Sequence, residues 1–194
     1  MKRNQTKRMV LTAMFVAIMI VLELCGVGVI SIPGGINAQT AGIVAIVGTL
    51  CMGLKPGLLF GFVFGSISFV KAYHGLSAIA APLLANSILW VIALCYVPRL
   101  LIPVTTHAVY RLLRNRAKDA VTVMAAALTG SLTNTVFYLG LCYLFYSLIG
   151  LDQTAVLALI SVNGLINAGI EAAVTAIIAP PVVIALKKST KFDE

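Results

Sequence analysis

The feature that most limits what this chain can fold into is its alternation of long apolar runs with short basic clusters. A hydrocarbon layer about 30 Å thick takes roughly 20 helical residues to cross, and several of the runs reach that length. Inside such a layer a backbone must satisfy its own hydrogen bonds, so each run is expected to be a helix. Composition agrees. Of 194 residues, 60% are hydrophobic and 10% are charged, against about 25% charged in an ordinary soluble domain. The net charge of +8 does not point to nucleic acid, because the cations gather at the ends of runs rather than along one face.

Hydropathy and chain breakers divide the sequence into a single membrane domain with spans at about 7–26, 36–54, 57–70, 97–113, 120–149 and 152–186. The expected fold is an all-α membrane protein of six transmembrane helices, multi-pass in the cell membrane. Residues 26–35 form a Gly/Pro-rich link, and Lys55-Pro56-Gly57 reads as a tight turn. The last two spans exceed the ~20 residues needed, so they tilt, kink or extend beyond the bilayer. Residues 83–95 are apolar but too short to span, and are expected to form a short outer helix or a re-entrant piece. A cytoplasmic N-terminus puts Lys2, Arg3, Lys7, Arg8, Lys55, Arg111, Arg114, Arg116, Lys118, Lys187, Lys188 and Lys191 inside, twelve of the fourteen basic residues. Both termini are then cytoplasmic. The run Met9 to Leu22 outlasts a secretion-signal core and has no small-x-small cleavage site, so it reads as an uncleaved first helix. Cys25, Cys51, Cys95 and Cys142 all lie in apolar segments without C-x-x-C spacing, as small core residues rather than a disulfide or metal framework.

Arg99 is the exception to the charge pattern. It precedes the basic cluster at Arg111 by twelve residues, roughly 18 Å of helix, which places it in the outer half of the hydrocarbon. A charge there costs at least ~2.5 kcal/mol and is commonly functional. Two other readings stand beside that one: a side chain reaching the outer interface, or one stabilising packing through backbone carbonyls. Polar residues expected at similar depth are Asn134 and Tyr138, four apart on the fifth span, and Asn163 and Asn167 on the sixth. Asn37 stands at the outer end of the second span. Tyr73 and Trp90 add aromatic surface. Such a set suits a small polar solute bearing a carboxylate or phosphate. Interhelical hydrogen bonding accounts for the amides equally well. Glu171 continues the stripe of Asn163 and Asn167 toward the cytoplasm, where pairing or coupling is expected of it. Glu23 is expected at the outer interface. Ala13 and Ala17 make a small-xxx-small face on the first helix, open to close approach by another helix.

Gly65-Ser66 with His74 or His107 does not make a protease, because no nucleophile motif surrounds Ser66. No acidic cluster is present to hold a metal, and neither a catalytic constellation nor a cofactor is expected. Without a Walker A motif the chain does not itself hydrolyse ATP.

An ordered set of segments resembles the substrate-binding S component of energy-coupling factor (ECF) vitamin transporters. It comprises AMFVA (Ala13–Ala17), PGGIN (Pro33–Asn37), GLKPGLLFGFVFGSIS (Gly53–Ser68), VPRLLIP (Val97–Pro103), VYRLLRN (Val109–Asn115) and LTGSLTNTVFYLGLCYL (Leu128–Leu144). The resemblance implies binding of a water-soluble vitamin from outside, with pantothenate favoured over folate or riboflavin. It implies docking, through Ala13 and Ala17, on a transmembrane coupling subunit driven by two cytoplasmic ATPases. It also implies a pocket at Asn37, Trp90, Arg99, Asn134, Tyr138, Asn163 and Asn167. The competing class is a freestanding secondary transporter, for which titratable groups would line a path. Glu171, Glu23 and the histidines are too scattered for one, and no internal repeat is evident.

Overall fold

The computed structural model describes residues 2–24, 29–32, 36–75, 77, 80–150 and 165–190; Asn163 and the start of the sixth expected span lie outside them. In chain order the described elements are α1 (Lys2–Leu24), β1 (Val29–Ile32), β2 (Ile36–Gln39), α2 (Thr40–Met52), α3 (Leu54–Tyr73), α4 (Ala81–Asn86), α5 (Ile88–Leu113), α6 (Asp119–Ile149) and α7 (Leu165–Thr190). Five of these helices (α1, α3, α5, α6 and α7) are long and apolar enough to cross a membrane.

Three expectations are corrected. The first residues of the second expected span are not helical: β2 pairs antiparallel with β1 of the link, Val29 with Gln39 and Ser31 with Asn37. That leaves α2 with 13 residues, about 20 Å at 1.5 Å per residue and short of a ~30 Å hydrocarbon layer. Next, the turn between α2 and α3 is made by Gly53, whose φ of 90° suits glycine. Lys55, Pro56 and Gly57 fall inside the first turn of α3, where a proline loses no intrahelical partner. Finally, the fourth span does not begin at Val97. Ser87 caps a helix that starts at Ile88, its side chain accepting from the Leu89 N–H, and most of residues 83–95 are continuous with α5.

Pro98 and Pro103 both lie within α5. Each proline lacks an N–H and leaves the carbonyl four residues earlier without its helical partner. For Pro98 that carbonyl is Leu94's, and the Arg99 guanidinium supplies the donor from Nη1 at 2.9 Å. The helix thus continues because a side chain replaces the missing backbone bond.

The carbonyl opposite Pro103 is Arg99's own, and it lies against α3. Gly57, Gly61 and Gly65 form a stripe at four-residue spacing along α3. A Cβ on Gly57 would meet Pro103 at 3.0 Å, one on Gly61 the Arg99 carbonyl oxygen at 2.5 Å, and one on Gly65 the Cys95 carbonyl oxygen at 3.1 Å. The antiparallel helices therefore approach backbone to backbone, as small residues permit inside membranes. On its other side α5 packs against α6, where Gly130 receives Thr106. α7 lies against α6, α2 and β2.

Side-chain ties close the two ends. The sequence places Glu23 toward the outer end of the first span; the structure packs it, 8% exposed, in an ion pair with Lys71 of α3. A carboxylate at the end of an apolar helix is cheaper to pair than to leave dry. At the opposite end Lys187 of α7 donates to the Tyr110 hydroxyl of α5 at 2.6 Å.

Gly61→Ala should lower stability by about 1–3 kcal/mol, because the new methyl forces α5 and α3 apart. Gly140→Ala, whose methyl meets nothing within 4 Å, should be neutral or slightly stabilising, alanine being the better helix former. Thermal unfolding of both variants in one detergent checks this; equal midpoints would contradict the seam.

Candidate ligand-binding site

Two apolar clusters fill the bundle. One, toward Tyr110 and Leu186, holds Phe60, Phe64, Ile46 and Ile102. The other, toward α4, holds Leu83, Val91, Leu94, Cys95 and Cys142. Arg99 sits where they meet and is 4% exposed. Its guanidinium carbon lies 4.7 Å from the centroid of the Tyr138 ring on α6 and 5.4 Å from that of Phe64 on α3. Away from water, such cation–π contacts are worth about 2 kcal/mol or more. One N–H is spent on the Leu94 carbonyl, while Nε is buried with no partner. A guanidinium carries five N–H groups, so its capacity is not exhausted by the fold.

Asn134 lies one turn before Tyr138 on α6. It is 7% exposed, and its Oδ1 has no partner. Among the described residues four buried side-chain polar atoms are unpartnered, namely Arg99 Nε, Thr106 Oγ1, Ser131 Oγ and Asn134 Oδ1, and all belong to α5 or α6. Leaving such an atom unmet costs about 1–3 kcal/mol. Thr106 is accounted for by its close seat on Gly130. Arg99 Nε and Asn134 Oδ1, a donor and an acceptor on facing helices, are those a polar ligand would satisfy.

The other expected site residues are dispersed around this pair. Tyr138 is in contact with Arg99. Trp90 stands nine residues earlier on α5, about 13 Å along the axis, with its ring edge-on to Phe145 at 4.6 Å. Asn37 is on β2 opposite Ser31. Asn167 is half-buried on α7. Asn163 is outside the described residues. Tyr73 is 59% exposed, its ring 6.3 Å from that of Phe69. Ala13 and Ala17 are exposed on the side of α1 that also carries Val10, Met14, Ile18 and Val21.

One residue beside the site escaped the sequence reading. Phe64 lies in an apolar run with nothing to mark it, although its four-residue offset from Phe60 shows which side of α3 it shares. Glu171 continues the Asn163–Asn167 stripe, where pairing within the bundle or coupling on the cytoplasmic side is expected of it. The structure buries it, 8% exposed, with Oε1 3.4 Å from where a Cβ on Gly42 would stand. Phe64 Cε1 lies 3.8 Å from the same point. Phe64 thus adjoins Arg99 on one side and the Glu171–Gly42 contact on the other. Among the described residues no group of three or more His, Cys, Asp or Glu is placed to hold a metal ion.

Comparison with known proteins bears on this arrangement. A family model described as "ECF transporter, substrate-specific component" matches residues 7–183. The chain is also similar to the "Pantothenic acid transporter PanT" of Lactococcus lactis subsp. cremoris. The two are 28% identical over 155 residues, covering 75% of this chain and 77% of that protein.

Arg99 has a structural duty that Thr106 lacks. Arg99→Met should cost the ligand-free protein about 1–3 kcal/mol, because the Leu94 carbonyl loses its donor. The isosteric Thr106→Val removes an unpartnered hydroxyl and should leave stability unchanged or raised. Unfolding midpoints measured without ligand decide it, and a neutral Arg99→Met would contradict the carbonyl-capping role.

Proposed function

The chain belongs to the substrate-specific component family of ECF transporters, and on that premise we propose that it binds pantothenate and delivers it for ATP-driven uptake. As a member of that family it is a transport subunit of the cell membrane. The observation that carries the substrate reading is the buried Arg99 with an unpartnered Nε on α5 and the unpartnered Asn134 Oδ1 on the neighbouring α6. Pantothenate carries one carboxylate, one amide and two hydroxyls. Arg99 takes the carboxylate through charge-assisted, forked donation, and Asn134 accepts from an N–H or O–H of the ligand. Tyr138 and Phe64 cover the methyl-bearing part of the molecule. The name of the similar Lactococcus transporter supports the same substrate. Trp90, Asn37 and Asn167 belong to the rim of the site in this reading.

Orientation follows from charge. With twelve of the fourteen basic residues on one side, both termini are cytoplasmic, and α2 with the hairpin completes a sixth crossing. The site then opens outward. The exposed face of α1 at Ala13 and Ala17 receives the transmembrane coupling subunit, and two cytoplasmic ATPases on that subunit hydrolyse ATP. Small side chains suit this face because helix association in lipid depends on close packing rather than on hydrophobic burial.

Calorimetry on the purified protein should show saturable pantothenate binding. Arg99→Ala should weaken it by about 2–5 kcal/mol, roughly 30- to 4,000-fold, the cost of truncating one partner of a buried charge pair. Undiminished affinity in that variant would remove Arg99 from the site. Ala13→Leu combined with Ala17→Leu should abolish cellular uptake while pantothenate affinity stays within about twofold, since among the described residues this face is exposed. Uptake that persists in cells lacking the coupling subunit would overturn the assignment as a whole.

A further inference from the structure

We propose that the basic turn joining α5 to α6 binds an anionic phospholipid. Arg111, Arg116 and Lys118 hold its headgroup phosphate, and its acyl chains lie along the apolar faces of the two helices. This site is separate from Arg99 and independent of the ligand held there. Residues 111–118 carry four cations, Arg114 being the fourth, and the adjoining Asp119 is the one carboxylate beside them. All four basic side chains are exposed. Like charges crowded in this way repel one another, and each gains from an anion brought among them. The backbone keeps them together. The N–H groups of Arg116 and Ala117 both bond to the Leu113 carbonyl, so the chain turns directly after α5, and the Thr122 hydroxyl of α6 reaches that carbonyl at 3.4 Å. α7 adds to the same end of the bundle. Lys187 donates to the Tyr110 hydroxyl, its ammonium 4.3 Å from the centroid of that ring. The end of α7, with the exposed Lys188, is thereby tied to the residue that precedes Arg111.

What surrounds the cations selects the occupant. Val104, Ala108 and Leu112 recur every four residues on an exposed face of α5, Leu112 being 61% exposed, and Arg111 adjoins them. On α6 Val121 and Met124 are exposed, and Lys118 stands three residues before Val121. On both antiparallel helices an outward apolar stripe therefore ends in a cation at the same end of the bundle. Both helices are long and apolar enough to cross a membrane, which sets the stripes against lipid chains and the cations at headgroup level. A neutral lipid would satisfy the stripes and leave the cations without a counter-charge. An acidic peptide would do the reverse. A phospholipid with an anionic headgroup matches both. Clusters of four or more Lys or Arg just outside a crossing helix attract such lipids, each cation contributing about fivefold. In the orientation proposed above this is the cytoplasmic leaflet. A lipid seated across the turn also braces α5 against α6, the pair that carries Arg99 and Asn134.

The test incubates the purified subunit in detergent with an equimolar mixture of phosphatidylglycerol and phosphatidylcholine bearing the same palmitoyl and oleoyl chains. Unbound lipid is then removed, and the ratio retained is counted by mass spectrometry. The wild-type protein should favour phosphatidylglycerol by about 10-fold or more. Arg111→Gln combined with Arg116→Gln and Lys118→Gln should bring that ratio to about twofold or less. Lys7→Gln with Arg8→Gln and Lys55→Gln removes as much charge elsewhere and should leave the ratio intact. Equal loss in the two variants would make the preference a matter of net charge and overturn the proposal. So would a wild-type protein that retains both lipids equally, the result expected if the turn serves an acidic partner protein. Glycerol phosphate, a head without chains, should leave the ratio unchanged when added at the concentration of the lipid; a collapse of the ratio would make the turn a site for soluble phosphate and overturn the proposal as well. If the turn variant does not fold, salt replaces it. Raising salt from about 0.1 to 1 M shortens the screening length from about 10 to 3 Å and should erase the wild-type preference, and a preference that salt does not touch overturns the role of the cations.

Discussion

The bond from Arg99 Nη1 to the Leu94 carbonyl at 2.9 Å holds together two features that would otherwise each be a liability. A proline at position 98 inside a helix strands a carbonyl in an apolar interior, and a guanidinium in the same interior needs acceptors. Each solves the other's problem. The bond also leaves the rest of the guanidinium aimed sideways from α5, between Phe64 and Tyr138, instead of folded back along its own helix. Pro103 repeats the device one turn later with a different remedy. It frees the Arg99 carbonyl, which meets the open backbone at Gly61. A side chain larger than hydrogen at Gly61 would move α5, and the guanidinium with it.

This geometry separates two dry clusters by a thin polar layer. The layer is incomplete: Arg99 Nε and Asn134 Oδ1 face no protein partner. Interiors normally pair more than nine in ten of such atoms, so unpaired groups on two adjacent helices mark a place where the fold forgoes stability. An ionised carboxylate entering the layer would restore it, and much of its binding energy would come from groups already desolvated and already positioned.

Arg99 was legible in the sequence because its cost could be reckoned from spacing alone: twelve residues from the basic cluster puts a charge inside hydrocarbon. Its company was only half legible. Asn134 and Tyr138 followed from a four-residue offset, but Phe64 is one apolar residue among many. Its position depends on the glycine stripe of α3, whose G-x-x-x-G spacing was present in the sequence and carried the information. The hairpin at 29–39 was hidden because a Gly/Pro-rich link next to an apolar run looks like the prelude to a helix. The start of α5 was hidden because Pro98 reads as a boundary until a side chain is found to replace the lost bond.

α3 connects the two surfaces proposed for ligand and partner. One side of it carries the glycine seam against Arg99. Another meets α1, through the Phe15 and Phe60 rings at 5.6 Å and through the ion pair of Glu23 with Lys71. The exposed face of α1, flat at Ala13 and Ala17, is thus two helices from the guanidinium. Both steps are close contacts, one of aromatic rings and a half-buried ion pair, the other of backbone on backbone. Packed interiors transmit displacement instead of absorbing it. A partner helix seated on α1 would press on a chain of contacts that ends at Arg99, and a ligand pulling on Arg99 would load the same chain in reverse. Differential affinity of the partner for the loaded and empty subunit would then require no long-range movement, only a difference in how α3 lies between its two neighbours.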